Sequence, residues 1–315
     1  MPNLEHNSMI MANTSQSLFL IVAYLIGIAT TTPTKPPHFD SGRSVGTLSS
    51  SAIDEASGIC ASREHSNVIY THNDSGGGNK IYAIDATSGH LRATITLDHA
   101  SNHDWEDICC GPCPNGGNCI YIGDIGGNYH GHVNNIYKIK EPSSIKDQHI
   151  SVHSGDKLHF SWDEQNAETL MVDPQANLYV VSKVSNGHHA KITRIPKSAW
   201  GSGHTYNAND NAAHTVHMTS PHNDPVGGDI SPDGHEVLLK QQDHVLYYFV
   251  PDGNILKALD DRTAIDEPYR HERQGEAVCW DNHGSGYYTL SEGTHVDLNY
   301  YKRTSSKPSA QDLLG

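Results

Sequence analysis

Short apolar segments separated by polar turns recur along the chain between about residues 50 and 300. Each unit opens on an acidic residue and an apolar segment, and a second segment rich in β-branched and aromatic residues follows after a turn. Short runs of this composition, bounded by turns, favour β-strands. The five opening acids are Glu55, Glu106, Glu168, Asp229 and Glu276, at spacings of 51, 62, 61 and 47 residues.

The spacing of these units predicts a β-propeller, because a repeat near 50 residues with several strands per unit is typical of propeller blades. Third strands are predicted at 80–85, 135–139, 191–195 and 245–249. The fifth unit lacks a fourth strand, which residues 43–49 would supply by closing the ring. We therefore predict an all-β, five-bladed propeller over residues 43–304, followed by a polar tail at 305–315.

Two alternatives to five blades follow from the same pattern. A sixth blade is an option if the long connector at 141–163 contains further strands. A β-sandwich would also use short strands, but it does not explain why an acid opens each unit.

The longest apolar run of the chain, residues 18–28, has eleven residues, whereas a membrane-spanning helix needs about 20. This length fits the hydrophobic segment of a secretory signal, although no Lys or Arg precedes Lys35. We predict a leader at 1–31, shorter if translation begins at Met9 or Met11, and a linker at 32–42. An uncleaved anchor and a buried strand are the alternatives.

The six cysteines support secretion, because disulfides persist in oxidising compartments. Three disulfides are expected. Cys113 and Cys119 flank a Pro-Asn-Gly-Gly turn and would clip a hairpin, while the pairing of the other four stays open. A metal knot at 109–119 is less favoured, since no second pair of Cys or His at zinc-finger spacing stands beside this segment.

The charge of the chain limits its partners. With 36 Asp and Glu against 21 Lys and Arg, the formal net charge is -15, which repels polyanions. We therefore expect no nucleic acid and no stable membrane insertion. The expected partner is a small anionic ligand, or an extracellular protein or matrix component.

In a propeller the first strand of each blade lines the central channel, so the five opening acids would place carboxylates around one mouth. We predict these acids as metal ligands. The second strand returns antiparallel to the same face and adds a second ring of polar groups, Asn73, Asp124, Ser291 and Glu292. The candidate catalytic residues of this mouth are Glu106, His72, Asp74, Lys183 and Lys240.

Carboxylates at such close range need a counter-charge, because two of them ~4 Å apart repel by about 4 kcal/mol at a surface-like dielectric. Hard oxygen donors favour Ca²⁺. One alternative is a network without metal, in which Lys183 and Lys240 offset the carboxylates. Another is a different metal, and ligation by His72 would indicate a transition metal.

Several motifs resemble a group of secreted, largely uncharacterised propeller proteins. The most specific are Trp-Glu-Asp-Ile at 105–108 and Ile-Tyr-Ile-Gly-Asp-Ile-Gly at 120–126, and the segments at 71–76 and 274–278 fit the same group. The resemblance covers roughly residues 50–300. Gly127 stands where this group leads us to expect an aspartate. More distantly, one acid per blade is similar to calcium-dependent propellers such as soluble apyrases, propeller phytases and lactonase-like enzymes.

Two functions are consistent with this sequence. The first is a secreted binding or matrix protein with Ca²⁺ at the channel mouth. The second is a Ca²⁺-dependent hydrolase of a phosphate ester, nucleotide or lactone, in which the metal acts as a Lewis acid and activates water.

Overall fold

Twenty-two short strands make up about half of the described chain, and they form five sheets. The computed structural model describes residues 37–127, 134–164, 166–183, 189–210, 214–218, 224–261 and 264–306. All of these residues belong to one unit, residues 34–315. The predicted leader at 1–31 and residues 307–315 of the predicted tail lie outside the described residues.

Each sheet is one blade, and its strands are named in chain order. Blade 1 contains β2 (Ala56–Ala61), β3 (Val68–Asn73), β4 (Lys80–Asp85), β5 (Leu91–Asp98) and β9 (Gln148–Ser151). Blade 2 contains β6 (Trp105–Pro112), β7 (Asn118–Asp124), β8 (Asn134–Lys140), β10 (Lys157–Ser161) and β14 (Tyr206–Asn207). Blade 3 contains β11 (Ala167–Val172), β12 (Leu178–Ser182), β13 (Lys191–Ile195) and β15 (His214–Thr215). Blade 4 contains β16 (Pro225–Ile230), β17 (Glu236–Gln241), β18 (His244–Phe249) and β19 (Ile265–Glu267). Blade 5 contains β20 (Gly275–Trp280), β21 (Gly286–Ser291), β22 (Asp297–Lys302) and β1 (Arg43–Thr47).

The first strands of the blades stand side by side around a central channel, in the order β2, β6, β11, β16 and β20, and β20 returns to β2. The ring closes through β1, which pairs antiparallel with β22 and places Arg43 opposite Tyr300. The predicted closure by the N-terminal strand is confirmed, and so is the prediction of five blades. The connector at 141–163 holds no sixth blade, because it supplies β9 to the edge of blade 1 and β10 to blade 2.

Residues 37–42, which the sequence places in a linker, run along the end of β22. Phe39 is buried and forms an antiparallel bridge with Arg303. The backbone N–H of Asp40 donates to the carbonyl of Lys302 at 2.9 Å, and that of Thr304 donates to the carbonyl of His38 at 2.7 Å. The two ends of the propeller are therefore held together at blade 5.

The core is divided among the gaps between neighbouring blades, each of which holds an apolar cluster. Trp105 and Tyr70 fill the gap between blades 1 and 2, and Trp280 and Tyr247 fill the gap between blades 4 and 5. Helical structure is minor, with α1 at Ile255–Asp261 and three single 3₁₀ turns at Ser154–Asp156, Lys197–Ala199 and Ala208–Asp210. Within the described residues, no helix is long and apolar enough to cross a bilayer.

Two disulfides are present among the described residues, and both lie on the inner part of the ring. Cys60–Cys110 joins β2 to β6, and Cys113–Cys119 clips the turn between β6 and β7 as predicted. The expectation of three disulfides is wrong, since Cys109 and Cys279 are free and buried. Cys109 packs between blades 2 and 3, whereas Cys279 packs between blades 5 and 1, so the ring keeps the two thiols apart.

Candidate functional site

The first strand of every blade has an irregularity in its register where it enters the sheet. In blade 2, Trp105 pairs with Asp124 and Asp107 pairs with Gly123, so Glu106 has no partner across the ladder. Such a bulge redirects a side chain. Glu168 and Glu276 occupy the same position in blades 3 and 5, so three of the five opening acids face one mouth of the channel.

A triad of carboxylates, Asp74, Asp104 and Glu106, lies at this mouth with one oxygen of each residue within 4.8 Å of the others. Asp74 follows the end of β3 in blade 1, and the other two residues belong to the entry of β6 in blade 2. Asp104 and Glu106 are buried, and Asp74 is half-buried. The triad thus joins two blades with oxygen donors only.

The loop before β6 brings the two sides of the triad together. The Asn102 side-chain amide donates to the carbonyl of Asp74 at 2.8 Å and to that of Asn73 at 3.1 Å, which links blade 2 to blade 1. The Asp124 carboxylate accepts the backbone N–H of Asp104 at 2.9 Å. Trp105 anchors the loop, because its indole N–H donates to the carbonyl of Ser101 at 2.9 Å.

Gly126 forms the floor of the triad. A Cβ atom at this position would lie 2.0 Å from Glu106 Oε1 and 2.3 Å from Asp104 Oδ2, so only a glycine lets the backbone approach both carboxylates. The last glycine of the Ile-Gly-Asp-Ile-Gly motif, Gly126, is therefore explained by the close approach of the backbone to these two carboxylates.

A Gly126→Ala variant is expected to lose at least tenfold in cation affinity, because the added methyl group displaces two of the three carboxylates. Isothermal titration with Ca²⁺ measures this. Gly155→Ala is the matched control, since a Cβ there meets nothing within 4 Å. Equal affinities in both variants would show that the triad does not hold the cation.

Two further acidic pairs extend the site around the mouth. Glu168 forms an ion pair with Lys183, which follows the end of β12. In blade 5, the carboxyls of Glu276 and Glu292 share a hydrogen bond. We call these two pairs and the triad together the acidic mouth.

Burial and mutual repulsion keep protons on the acidic mouth. Burial raises the pKa of Asp74 to about 6. Burial raises the pKa of Glu168 to about 7 although Lys183 opposes the shift, and burial followed by the Glu292 charge raises the pKa of Glu276 to about 8. Burial, and then the Glu168 carboxylate, raise the pKa of Glu106 well above its ordinary value. A cation would displace these protons and compensate the carboxylates.

Two of the predicted ligands, Asp229 and Glu55, do not occupy the bulge position of their blades. In blade 4 the register puts Val226 at the position of Glu106, and Asp229 lies three residues further along β16. There the Asp229 carboxylate is buried and accepts the N–H of Trp280 at 3.0 Å, so it ties blade 4 to blade 5. Glu55 is exposed in the loop before β2, where Ser57 takes the bulge position. It stays beside the triad, because its carbonyl accepts the backbone N–H of Asp74 at 2.9 Å and its charge contributes to the raised pKa of Asp74.

His72 and Lys240 are also absent from the mouth. Both point into gaps between blades and are fully buried. The Lys240 ammonium donates to the carbonyl of Gln242 at 2.9 Å and lies 3.9 Å from the centre of the Tyr269 ring, and burial lowers its pKa to about 7. Burial lowers the pKa of His72 to about 4. The charges of Glu272, Asp243 and Glu276 oppose this lowering of the Lys240 pKa, so Lys240 still offsets carboxylates, one of which belongs to the acidic mouth. His72 is not part of the triad.

The predicted second ring positions the loops of the mouth. The Asn73 side-chain oxygen accepts the backbone N–H of Asp54 at 3.3 Å. In the same way, the Asp124 carboxylate accepts the backbone N–H of Asp104. The Ser291 hydroxyl accepts the backbone N–H of Gln274 at 3.3 Å. Each residue ends a second strand and fixes the loop that enters the first strand of its own blade. Glu292 alone of the predicted four faces another acid of the mouth.

Two aspartates close to Glu106 were not predicted as site residues from the sequence. Asp104 completes the triad. Asp107 lies inside the channel, where its carboxylate accepts the N–H groups of Ile108 at 2.8 Å, Leu170 at 2.9 Å and Gly228 at 3.3 Å. It thereby joins blades 2, 3 and 4 below the triad. The clustering of acids at 104–107 was the available signal for both.

Comparison with known proteins identifies no family for this chain. No protein-family model matches the chain, and a comparison with curated proteins gives no match. Among solved structures, the chain is similar to hydrazine synthase of Kuenenia stuttgartiensis (9% identity, 80% of this chain and 84% of that chain, TM-score 0.45). It is also similar to a putative gluconolactonase (12% identity, 79% and 74%, TM-score 0.45). The third is a PQQ-bound aldose sugar dehydrogenase of Streptomyces coelicolor (11% identity, 83% and 96%, TM-score 0.45). At these values the likenesses carry no argument about activity.

Proposed function

We propose that the protein is an extracellular binding protein whose acidic mouth holds one Ca²⁺ ion. The observation that carries this proposal is the triad, in which three carboxylates from two blades converge within 4.8 Å. Carboxylates so close together repel one another, and a cation beside them offsets that repulsion. Asp74, Asp104 and Glu106 would hold the ion.

The donor set favours Ca²⁺ over transition metals. All three triad ligands are carboxylate oxygens, and no thiolate or imidazole belongs to the triad. Ca²⁺ accepts six to eight oxygens in flexible geometry, so ligand oxygens would complete its shell. This arrangement suits a small anionic ligand or an acidic group of an extracellular protein or matrix component. Secretion is proposed from the apolar leader segment and from the two disulfides.

The pH dependence of stability should depend on the cation. The carboxyls of the acidic mouth have pKa values raised to about 6, 7 and 8, so the folded protein keeps protons that the unfolded chain releases. Stability without metal should therefore fall as the pH rises from about 5 to 8. Added Ca²⁺ should remove most of this fall, because it replaces the protons. Melting curves in EDTA and in Ca²⁺ across this range test the prediction, and two parallel pH profiles would contradict it.

A second candidate function is a Ca²⁺-dependent hydrolase, and the Glu168–Lys183 pair beside the triad favours it. Glu168, with its pKa raised to about 7, is suited to accept a proton from an attacking water near neutral pH. Lys183 would neutralise a phosphate ester, nucleotide or other anionic substrate. When bound, Ca²⁺ would supply Lewis acidity at the substrate oxygen.

Two variants, Glu106→Gln and Glu168→Gln, together with one control distinguish the two functions. Glu106→Gln should abolish both calcium binding and calcium-dependent capture of an anionic ligand, while Glu64→Gln, an exposed acid on the opposite face, should change neither. Glu168→Gln should leave calcium binding within about threefold. Turnover of a nucleotide, phosphate ester or lactone that disappears in Glu168→Gln supports the hydrolase. An absence of turnover in the wild type with Ca²⁺ bound supports the binding protein.

A further inference from the structure

The seam between blades 5 and 1 contains a cavity of about 510 Å³ on the face opposite the acidic mouth. Residues of the turns that join β2 to β3, β4 to β5 and β20 to β21 line it. Its wall on the side of blade 5 is a row of three side chains on neighbouring strands. Tyr288 of β21 pairs with Tyr300 of β22, and Tyr300 pairs with Arg43 of β1, so all three lie on one face of the sheet. The strand that closes the ring therefore also shapes this cavity.

Two half-buried tyrosine rings give the cavity its apolar surface. The centres of the Tyr288 and Tyr300 rings lie 4.7 Å apart. The Tyr300 hydroxyl donates to Asp281 Oδ2 at 2.8 Å, which fixes the orientation of its ring. The Tyr288 hydroxyl has no hydrogen-bond partner among the described residues, and burial raises its pKa, so it stays protonated. The cavity thus combines an apolar ring surface with a hydroxyl that can donate to a ligand.

Polar side chains line the other sides of the cavity. Ser66 and Asn67 belong to the turn between β2 and β3, and Asn282 belongs to the turn between β20 and β21. Within the described residues, the side chains of Asn67 and Asn282 make no hydrogen bond. A side-chain amide both donates and accepts hydrogen bonds, and so does a hydroxyl. The cavity therefore suits a ligand with several groups that both donate and accept.

One positive and one negative charge line the cavity and offset each other. The Arg43 guanidinium lies 5.8 Å from the centre of the Tyr300 ring. The Asp281 carboxylate accepts the backbone N–H groups of His283 at 2.9 Å and Ser285 at 2.8 Å, in addition to the Tyr300 hydroxyl. With a formal net charge of -15, the chain as a whole also repels anions. These charges favour a neutral ligand.

We propose that this cavity binds a neutral saccharide of one or two sugar units. The C–H face of a sugar ring would pack on the Tyr288 and Tyr300 rings. Its hydroxyls would pair with the Asn67 and Asn282 amides and with the Tyr288 hydroxyl. The cavity volume lies within the range of small-ligand sites, about 300–1,000 Å³. A planar aromatic ligand would cover the two amides without pairing them, which costs free energy.

NMR of the tyrosine ring signals in the full chain tests this proposal, with glucose, galactose, cellobiose and lactose as probes. The Tyr288 and Tyr300 signals should shift saturably with at least one of these sugars. They should not shift with sorbitol, an open-chain polyol that has hydroxyls but no ring face. The site is independent of the proposed calcium site, so the titration should be the same in EDTA and in Ca²⁺. Failure of this proposal is therefore distinguishable from failure of the calcium proposal.

Two variants and a control locate the binding. Asn67→Gly removes the amide and keeps the left-handed backbone at this position, where φ is 58°, and it should weaken sugar binding at least threefold. Tyr288→Phe keeps the ring and loses the hydroxyl, and it should also weaken binding at least threefold. His99→Gly is the matched control for Asn67→Gly, because His99 is exposed, has a φ of 70° and lies outside the cavity. It should bind sugar as the wild type does.

Other outcomes overturn the proposal. No saturable shift with any of the four sugars, or an equal response to sorbitol, would exclude a saccharide site. Unchanged affinity in both Asn67→Gly and Tyr288→Phe would exclude this cavity as the site. Tighter binding of indole than of every sugar would exclude the saccharide class. If Asn67→Gly does not fold, Tyr288→Phe and the comparison with sorbitol in the wild type decide.

Discussion

An Arg303→Ala variant is expected to lose about 3–5 kcal/mol of unfolding free energy, because it leaves a buried carboxylate without its counter-ion. The Arg303 guanidinium donates to both oxygens of Glu236, at 2.8 and 2.9 Å, and both side chains are buried. It also lies against Phe39 and Trp280, with its central carbon 4.9 and 5.3 Å from their ring centres. The pair connects blade 4 to the closing segment of the ring.

Denaturant unfolding of a matched set of variants measures this loss. Lys302→Ala, at an exposed neighbouring position, should change stability by less than about 0.5 kcal/mol. The double variant Glu236→Leu/Arg303→Met should recover most of the loss, since it removes both charges together. A loss below about 1 kcal/mol for Arg303→Ala would mean that this ion pair does not hold the ring closed.

The second large effect is expected at Asp107. Its Oδ2 accepts N–H groups from Leu170 in blade 3 and Gly228 in blade 4. Each buried N–H left without an acceptor costs about 1–3 kcal/mol, so Asp107→Ala should lose about 2–6 kcal/mol. The reason is that a single carboxylate satisfies the inner strands of three blades.

Thermal and denaturant unfolding again provide the readout for Asp107. Asp107→Asn should lose less than the alanine variant, because one carbonyl oxygen still accepts from the neighbouring strands. Asp243→Ala is the control, since Asp243 is exposed and forms its ion pair with an exposed histidine. Equal stabilities of Asp107→Ala and the control would show that the blades do not depend on this tie.

The architecture was predictable because its determinants repeat along the chain. The sequence of every blade has the same pattern of apolar strand and turn. One copy of this pattern is weak evidence for a blade, but five approximate copies together predict a propeller. Closure by β1 followed from a count of strands, since blade 5 contains only three from its own part of the sequence. Buried aromatic residues such as Trp105 and Trp280 then fill the gaps between neighbouring blades.

The site was less predictable, because its residues depend on register and not on spacing. Asp229 follows two glycines, and the sequence pattern predicts it to be an opening acid. However, β16 begins at Pro225, so Asp229 lies three residues further along its strand than the bulge position that Glu106 occupies in blade 2. A shift of this size moves a side chain from the mouth into the gap between blades. Asp104 was missed for the converse reason, since it precedes the strand and enters the triad through the loop that Asn102 holds.

The buried lysine and the free cysteines show a second limit of sequence analysis. Lys240 is the penultimate residue of a second strand, next to the position at which polar residues of other blades face the mouth. The fold turns its ammonium toward Tyr269 and two backbone carbonyls instead. Likewise, six cysteines suggest three pairs, but Cys109 and Cys279 lie in different gaps of the ring. Composition cannot distinguish these environments.

The most direct test of the proposed calcium site is the metal content of the purified chain, measured together with its melting temperature in EDTA and after Ca²⁺ is added back. We predict one Ca²⁺ per chain, a fall of ~5–10 °C on chelation and full recovery with Ca²⁺, as expected for a ligand at about a hundredfold its dissociation constant. Glu106→Gln should contain no Ca²⁺ and should melt at the same temperature under both conditions. A wild-type chain free of metal, with superimposable melting curves in EDTA and Ca²⁺, would contradict the calcium site.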